Sequence, residues 1–138
     1  MQEERKPDQS PMQQNGRSYL SKDAIISVND AVFEDVHVPE WGGWVRVKGL
    51  TARERSVLEN EHTETVSNGN VVRNKVSPSY RAALCAMCIV NENGNPLFGQ
   101  ADIVSLGSKN GRALERVFDV ARKLSGIGAD NVEEAAKN

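Results

Sequence analysis

The sequence predicts an α+β fold, a mostly helical single domain with a β-hairpin near its N-terminal end. Three patterns lead to this prediction. Apolar and polar residues alternate over 36–48, on both sides of a glycine-rich turn. Residues 82–90 form a continuous apolar run, and apolar residues recur at helical spacing over 114–124. Strands therefore open the domain, and helices make up most of the rest.

Two alternating strands form the predicted hairpin: the first opens with Val32 and Phe33 and ends at Val38, and the second runs over 44–48. Their valines face one way and the residues between them face the other, which is typical of strands with one buried side. Pro39 ends the first strand because it has no N–H for the sheet ladder. Gly42 and Gly43 are expected to supply the positive φ angles of a primed hairpin turn.

Two tryptophans flank this turn. The alternation places Trp44 with the cations of the second strand, on the face opposite its valines, where it is either a lid over the sheet edge or a contact for a partner. Tryptophan is enriched at interface hot spots because it buries a large rigid surface. Glu40 and Arg46 are then expected at the polar rim of such a contact. In the alternative arrangement, Trp41 packs back on the following helix and only Trp44 is exposed.

The segment before the hairpin is polar. Residues 1–18 contain two prolines and show no periodicity, so they predict a disordered leader. Ser21 is expected to cap a short helix that follows. The folded domain is expected over 19–126, with a short helix or junction tail over 127–138.

A charged surface helix is predicted from Ala52 to about Val66. Thr51 and Glu54 form a capping box at its start, since each side chain can reach the other residue's backbone N–H. Gly69 is expected to end this helix region in a left-handed conformation. A loop or short strand over 70–77 follows.

The next helix, about 78–90, is the most apolar in the chain and is expected at the centre of the core. It contains Cys85 and Cys88, a spacing found in redox and zinc sites. A zinc site needs two further ligands, and the only histidines, His37 and His62, are predicted on a strand and on an exposed helix. Buried structural thiols are the better interpretation.

The C-terminal third is predicted to be mainly helical. A small hairpin over 89–98 is expected if Leu97 and Phe98 return along an extended end of the preceding helix. A short helix over 101–106 comes next, then the amphipathic helix that ends before Gly126. A capping box opens a last short helix over 132–137.

Composition excludes several functional classes. Lys and Arg total 17 against 19 Asp and Glu, so the basic excess of a dedicated nucleic-acid binder is missing. No apolar run approaches the roughly 20 residues of a membrane span, and the N-terminus lacks the apolar region of a signal peptide. The sequence therefore predicts a cytoplasmic protein.

No catalytic constellation is present in the sequence. It has no phosphate-binding loop, no His-Glu-x-x-His motif and no nucleophile elbow, and its carboxylates are spread over predicted helix faces. We therefore predict no catalytic residue, no metal ligand and no cofactor. The chain is expected not to be an enzyme.

A helix-turn-helix is a weaker alternative. The short helix, turn and longer helix over 101–124 match its outline, and three residues offer donors at the start of the longer helix: Lys109, Asn110 and Arg112. The net charge of −2 and the acidic residues within the longer helix argue against DNA binding.

The hairpin also carries a resemblance to a known family. Val-Pro-Glu-Trp-Gly-Gly over 38–43, then Val-Arg-Val over 45–47 and a Leu-Thr-x-x-Glu-Arg helix start over 50–55, resemble the tail assembly chaperones of long-tailed bacteriophages, in the short, non-frameshifted form. The similarity runs from about Leu20 to the C-terminus and is strongest over 36–59.

The resemblance implies a virion assembly chaperone in the host cytoplasm, one that binds the tape measure protein and keeps it soluble. It further implies self-association, and contact with the tail tube protein through a longer frameshifted form. Residues 126–138 would then be a junction. The partner-binding residues are expected around the family motif: Pro39, Glu40, Trp41, Gly42, Gly43, Trp44 and Arg46. The alternative is a structural virion protein, such as a tail completion or tube component.

Overall fold

The computed structural model of the chain describes residues 12–14 and 16–128. Backbone contacts divide the chain into two compact units, one that ends at Asp30 and one that begins at Ala31. The predicted helix over 132–137 lies outside the described residues. The helices and antiparallel sheets of the two units confirm the predicted α+β class.

The first unit holds a small hairpin and a short helix. Strand β1 (Met12–Gln14) pairs antiparallel with β2 (Arg17–Tyr19), and α1 (Lys22–Ser27) follows. The Ser21 hydroxyl accepts a hydrogen bond from a backbone N–H in the first turn of α1, as predicted for its cap. The structure therefore has strands in the described part of 1–18, where a disordered leader was expected.

The second unit carries most of the fold. Its elements in chain order are β3 (Phe33–Val38), β4 (Gly43–Lys48), α2 (Ala52–His62), β5 (Thr63–Asn68), β6 (Val71–Val76), α3 (Tyr80–Cys88), β7 (Ile89–Val90), α4 (Ile103–Gly107) and α5 (Gly111–Leu124). Single 3-10 turns lie at Pro39–Trp41 and Gln100–Asp102.

The main sheet has the antiparallel order β3-β4-β7. Val36, Val38 and Val47 are buried on its inner face, which confirms the predicted alternation. Helix α5 packs on β3, β4 and α3. Of its predicted apolar stripe, four residues are buried and Leu124 is partly buried; the buried ones are Leu114, Val117, Phe118 and Ala121.

Helix α3 lies at the centre of the core, as predicted. Seven of its nine residues are buried, among them Cys85 and Cys88. Its C-terminal end continues directly into β7, and the Leu97 N–H donates to the Ile89 carbonyl oxygen at 3.2 Å. The expected extended return over 89–98 is therefore present. The pairing of β7 with β4 was not predicted.

The ends of β4 and α5 are held together closely. The Leu50 N–H donates to the Ser125 hydroxyl at 3.0 Å. A Cβ atom placed on Gly49 would lie 2.5 Å from the Leu124 carbonyl oxygen, so only glycine fits this approach. Gly126 then ends the helix region with a φ of 74°, as expected.

Helix α2 begins with the predicted capping box. The Glu54 N–H donates to the Thr51 hydroxyl at 3.1 Å, and the Thr51 N–H donates to the Glu54 carboxylate at 2.9 Å. Partial burial raises the pKa of Glu54, but the hydrogen bonds from Lys48 and Thr51 outweigh it and hold the pKa below its ordinary value. Leu58 is the only buried residue of this helix.

The prediction that this helix continues to Val66 is wrong. Helix α2 ends at His62, and β5 and β6 form a two-stranded ribbon instead. Three of the four residues over 63–66 are β-branched, which favours a strand. Gly69, with a φ of 66°, lies in the hairpin turn of this ribbon and does not end a helix.

Candidate partner-binding site

The turn of the predicted site connects β3 to β4. Pro39 opens a 3-10 turn that ends at Trp41, and the Gly42 N–H donates to the Pro39 carbonyl oxygen at 3.1 Å. Gly42 has a φ of 74°, while Gly43 already belongs to β4. The predicted primed turn with positive φ at both glycines is therefore wrong, because the fixed φ of proline starts a longer, 3-10-type connection.

Trp44 is the exposed tryptophan of this site. It lies on the outer face of β4 with 70% of its surface exposed, which agrees with the sequence alternation. The sheet register sets it opposite His37 of β3, and the two rings lie 4.9 Å apart between centroids at a 43° tilt. The alternation of the strand predicts His37 on this face, but it does not predict that His37 is the neighbour of Trp44.

Trp41 has a different environment. Its ring is half-buried and packs against the hydrophobic core. The 3-10 turn that carries it contacts α5, whereas the sequence alternative placed it on the helix after Thr51. Trp41 therefore anchors the turn, and Trp44 is the exposed tryptophan of the pair.

Glu40 ties the same turn to α5. Its two carboxylate oxygens accept hydrogen bonds from Nε and Nη2 of Arg116 at 2.9 and 3.0 Å. The hydrogen bonds from Arg116 hold the pKa of Glu40 below its ordinary value. This carboxylate already has a partner, so it is less available for the polar rim where the sequence placed it.

Arg46 is held in the same way on the outer face of the sheet. Its Nε donates to Asp35 Oδ1 at 2.9 Å, and its Nη1 donates to the Glu92 carbonyl oxygen at 3.1 Å. The hydrogen bond from Arg46 lowers the pKa of Asp35. Asp35 lies opposite Arg46 in the register, a pairing that the alternation could have revealed once the turn length was known.

The other candidate groups are structural. Burial raises the pKa of Cys88 to about 12 and that of Cys85 further, as expected for inert thiols. His62 is half-buried, and its Nδ1 lies 3.0 Å from the Ser79 hydroxyl, so its prediction as an exposed helix residue is wrong. Within the described ranges, no three His, Cys, Asp or Glu side chains are placed to hold a metal ion.

The helix pair over 103–124 also has a structural explanation. Helix α4 has only five residues. The Asn110 side chain, a candidate base donor, accepts hydrogen bonds from the N–H groups of Arg112 and Ala113 and so caps α5. The apolar stripe of α5 is used in the core.

Among the described helices, none combines the length and apolar character needed to cross a membrane. A search of curated proteins and a search of solved structures each gave no match. The profile of one protein family, described as phage tail assembly chaperone, matches residues 21–138 and so includes the hairpin with Trp44. This match covers most of the chain, and we conclude that the protein belongs to the phage tail assembly chaperone family.

Proposed function

We propose that this chaperone binds the tape measure protein of its phage tail, keeps it soluble in the host cytoplasm, and contacts it through Trp44. Membership of the family supports a role in tail assembly. A long chain with exposed apolar stripes aggregates unless those stripes are covered, and coverage of this kind needs no covalent chemistry. The role is therefore non-enzymatic.

The observation that carries the proposal is the exposure of Trp44 on a rigid support. Trp44 exposes 70% of its surface, although tryptophan is on average one of the more buried residue types. Strand β4 pairs with β3 at this position, where Trp44 lies opposite His37, and Arg46 on the same face is fixed by Asp35. A preorganised ring loses little conformational freedom on binding, which favours affinity.

Binding along the tape measure protein would involve many copies. Each copy covers one apolar segment, and contacts between neighbouring copies raise the effective concentration of the next. We propose that the chain self-associates for this reason. We also propose a longer frameshifted product that shares this chain and carries an extension beginning in the C-terminal tail. This extension would bring the tail tube protein to the complex.

The test is co-expression of the tape measure protein with this chain or with its Trp44→Ala variant. We expect the tape measure protein to be insoluble alone, soluble and co-purifying with the wild type, and mostly insoluble with Trp44→Ala. Val72→Ala is the matched control, because it also removes an exposed apolar side chain, but on β6.

Equal solubility with and without this chain would refute the chaperone role for this client. The alternative, a structural virion protein, would then be tested by a search for the chain in purified particles. Loss of solubility with both variants would show that Trp44 has no special part.

A further inference from the structure

Two strands of the second unit each have a free edge, a side on which no other described strand pairs with them. Strand β3 is an outer strand of the three-stranded sheet, and β6 belongs to the two-stranded ribbon. A free edge presents a row of N–H and C=O groups to which another strand can bind. A two-stranded ribbon is also only marginally stable in water by itself. Both edges are therefore suited to bind a further strand.

We propose that the free edge of β6 in one copy of the chain pairs antiparallel with the free edge of β3 in the next copy, with Lys75 opposite Glu34. The three-stranded sheet of one copy and the ribbon of the next then form a single five-stranded sheet. The inference rests on the proposed function only in that the chain self-associates, and it specifies the surfaces through which the copies bind.

The hydrogen-bond phase of β3 determines which of its backbone groups point outward. The Gly49 N–H donates to the Val32 carbonyl oxygen at 3.0 Å, where the ladder between β3 and β4 begins. Antiparallel ladders alternate between hydrogen-bonded pairs and pairs whose backbone groups point away from each other. The outward groups of β3 therefore belong to Phe33, Asp35 and His37.

The same argument applies to β6. The Ser77 N–H donates to the His62 carbonyl oxygen at 2.8 Å, at the base of the ribbon. By the same alternation, the outward groups of β6 belong to Val72, Asn74 and Val76. An antiparallel register with Asp35 opposite Asn74 brings the two sets together and includes all six residues of each strand.

Charge favours this combination of edges. Strand β3 contains two acidic residues and no lysine or arginine, whereas β6 contains two basic residues and no acidic one. Asp35 is already paired with Arg46, but in the described part of the chain neither Glu34 nor Lys75 forms an ion pair. The register that matches the backbone groups also places these two side chains opposite each other, where opposite charges stabilise a strand pair.

The remaining strand edges of this unit match β3 less well. Glu64 is the only charged residue of β5, so the edge of β5 has the same sign of charge as β3. The N–H of Thr63, at the start of β5, already donates to the Glu59 carbonyl oxygen. Strand β7 has only two residues, and Val90 also forms a bridge with Pro96. The edge of β6 is therefore the best match for β3.

This pairing uses different surfaces on the two copies. Each added copy contributes a new free β3 edge or a new free β6 edge, so further copies can bind. Head-to-tail contacts of this kind produce an open array or a ring, not a two-fold dimer. The mass of the assembly should therefore increase with protein concentration beyond that of a dimer.

The test is sedimentation velocity of the purified full-length chain over a range of concentrations, with no other protein present. Glu34→Lys and Lys75→Glu should each weaken the association about ten-fold, because each places like charges opposite each other. An equal mixture of the two variants should associate as the wild type does, because they carry opposite charges at both edges. Lys109→Glu is the control, an exposed lysine outside both strands, and it should associate normally.

A pair of proline variants tests the backbone hydrogen bonds. Asn74→Pro removes an N–H that points outward from β6, and Thr65→Pro removes one that points outward from β5, directly opposite in the ribbon. Both variants lose the same side-chain hydrogen bond, from Thr65 Oγ1 to Asn74 Oδ1 at 3.3 Å, so they are well matched. Only Asn74→Pro should prevent association.

Three results would overturn the proposal. The wild type remains a monomer or a closed dimer at every concentration, the mixture of the two charge variants associates no better than either variant alone, or the two proline variants associate equally. Rescue by the mixture would support it even if Lys75→Glu weakens the ribbon, because an unfolded ribbon could not restore the pairing.

These results are independent of the co-expression test, which contains the tape measure protein. If that protein is solubilised but the charge variants associate like the wild type, the chaperone role stands and the edge pairing is wrong. If the edges pair as proposed but the tape measure protein remains insoluble, the edge pairing stands and the chaperone role for this client is wrong. Val72→Ala keeps the backbone and the charge of β6, so it remains a valid control in the co-expression test.

Discussion

Leu58 is predicted to make the largest single contribution to holding α2 against the core. It is fully buried, and it is the only buried residue of an eleven-residue helix. Leu58→Ala removes three carbon groups from the core, which costs about 2.4 kcal/mol in transfer free energy alone. The cavity left behind raises the expected loss to about 3–4 kcal/mol.

This loss is large for a domain of this size, whose whole unfolding free energy is expected at about 5–15 kcal/mol. The assay is urea unfolding followed by circular dichroism. Leu58→Ala should lower the midpoint without a change in the slope, since the fold is kept and only its stability falls.

Val57→Ala is the matched control, one residue earlier on the same helix. Val57 is 42% exposed, so less apolar surface is lost. The better helix propensity of alanine offsets part of this loss, and the net cost should stay below about 0.5 kcal/mol. Equal costs for the two variants would refute the reasoning, because α2 would then be held by something other than Leu58.

Three further predictions concern the turn, the helix cap and the thiols. Gly42→Ala should lower the free energy of unfolding by about 1–2 kcal/mol, because a φ of 74° is strained for alanine. The cause is not a clash, since a Cβ atom on Gly42 would have no other atom within 4 Å. Gly43→Ala, where φ is not positive, should cost less, and equal midpoints in urea would contradict this. The lowered pKa of Glu54 means that its contribution to stability is present above the ordinary value of 4.5 and is lost as the pH falls through its folded pKa. The difference in unfolding free energy between wild type and Glu54→Gln should therefore shrink between roughly pH 5 and pH 2, because glutamine keeps the capping box and removes only the charge; a constant difference would show that this charge does not stabilise the fold. Cys85 and Cys88, buried with raised pKa values, should react with iodoacetamide much more slowly in the native protein than in urea, whereas similar rates would mean that the thiols are accessible.

The elements with strong periodicity were predictable from the sequence. The stripe over 114–124 repeats at helical spacing for three turns, and the structure has α5 there. The alternation over 36–48 located both strands and the exposed side of Trp44. In these segments, the local pattern and the tertiary packing favour the same structure.

The sequence did not predict the elements in which the local pattern and the tertiary packing favour different structures. Strand β5 follows directly on the charged helix α2, whose few apolar residues mark no clear end. The β-branched residues of β5 were therefore assigned to the helix. The turn before β4 was assigned from its two glycines, although Pro39 determines its start. The ion pair between Glu40 and Arg116 joins residues 76 positions apart, and a single sequence contains no signal for such a contact.

The position of α5 has a consequence for folding kinetics. This helix is the last described element, and it packs on β3 and β4, which come near the start of the second unit. Contacts between such distant segments need a large loop closure, which slows folding. During synthesis, Val38 and Val47 stay without their helical cover until Leu124 has been added. The nascent chaperone therefore exposes its own apolar sheet face for most of its translation, and it is itself prone to aggregation until the last helix docks.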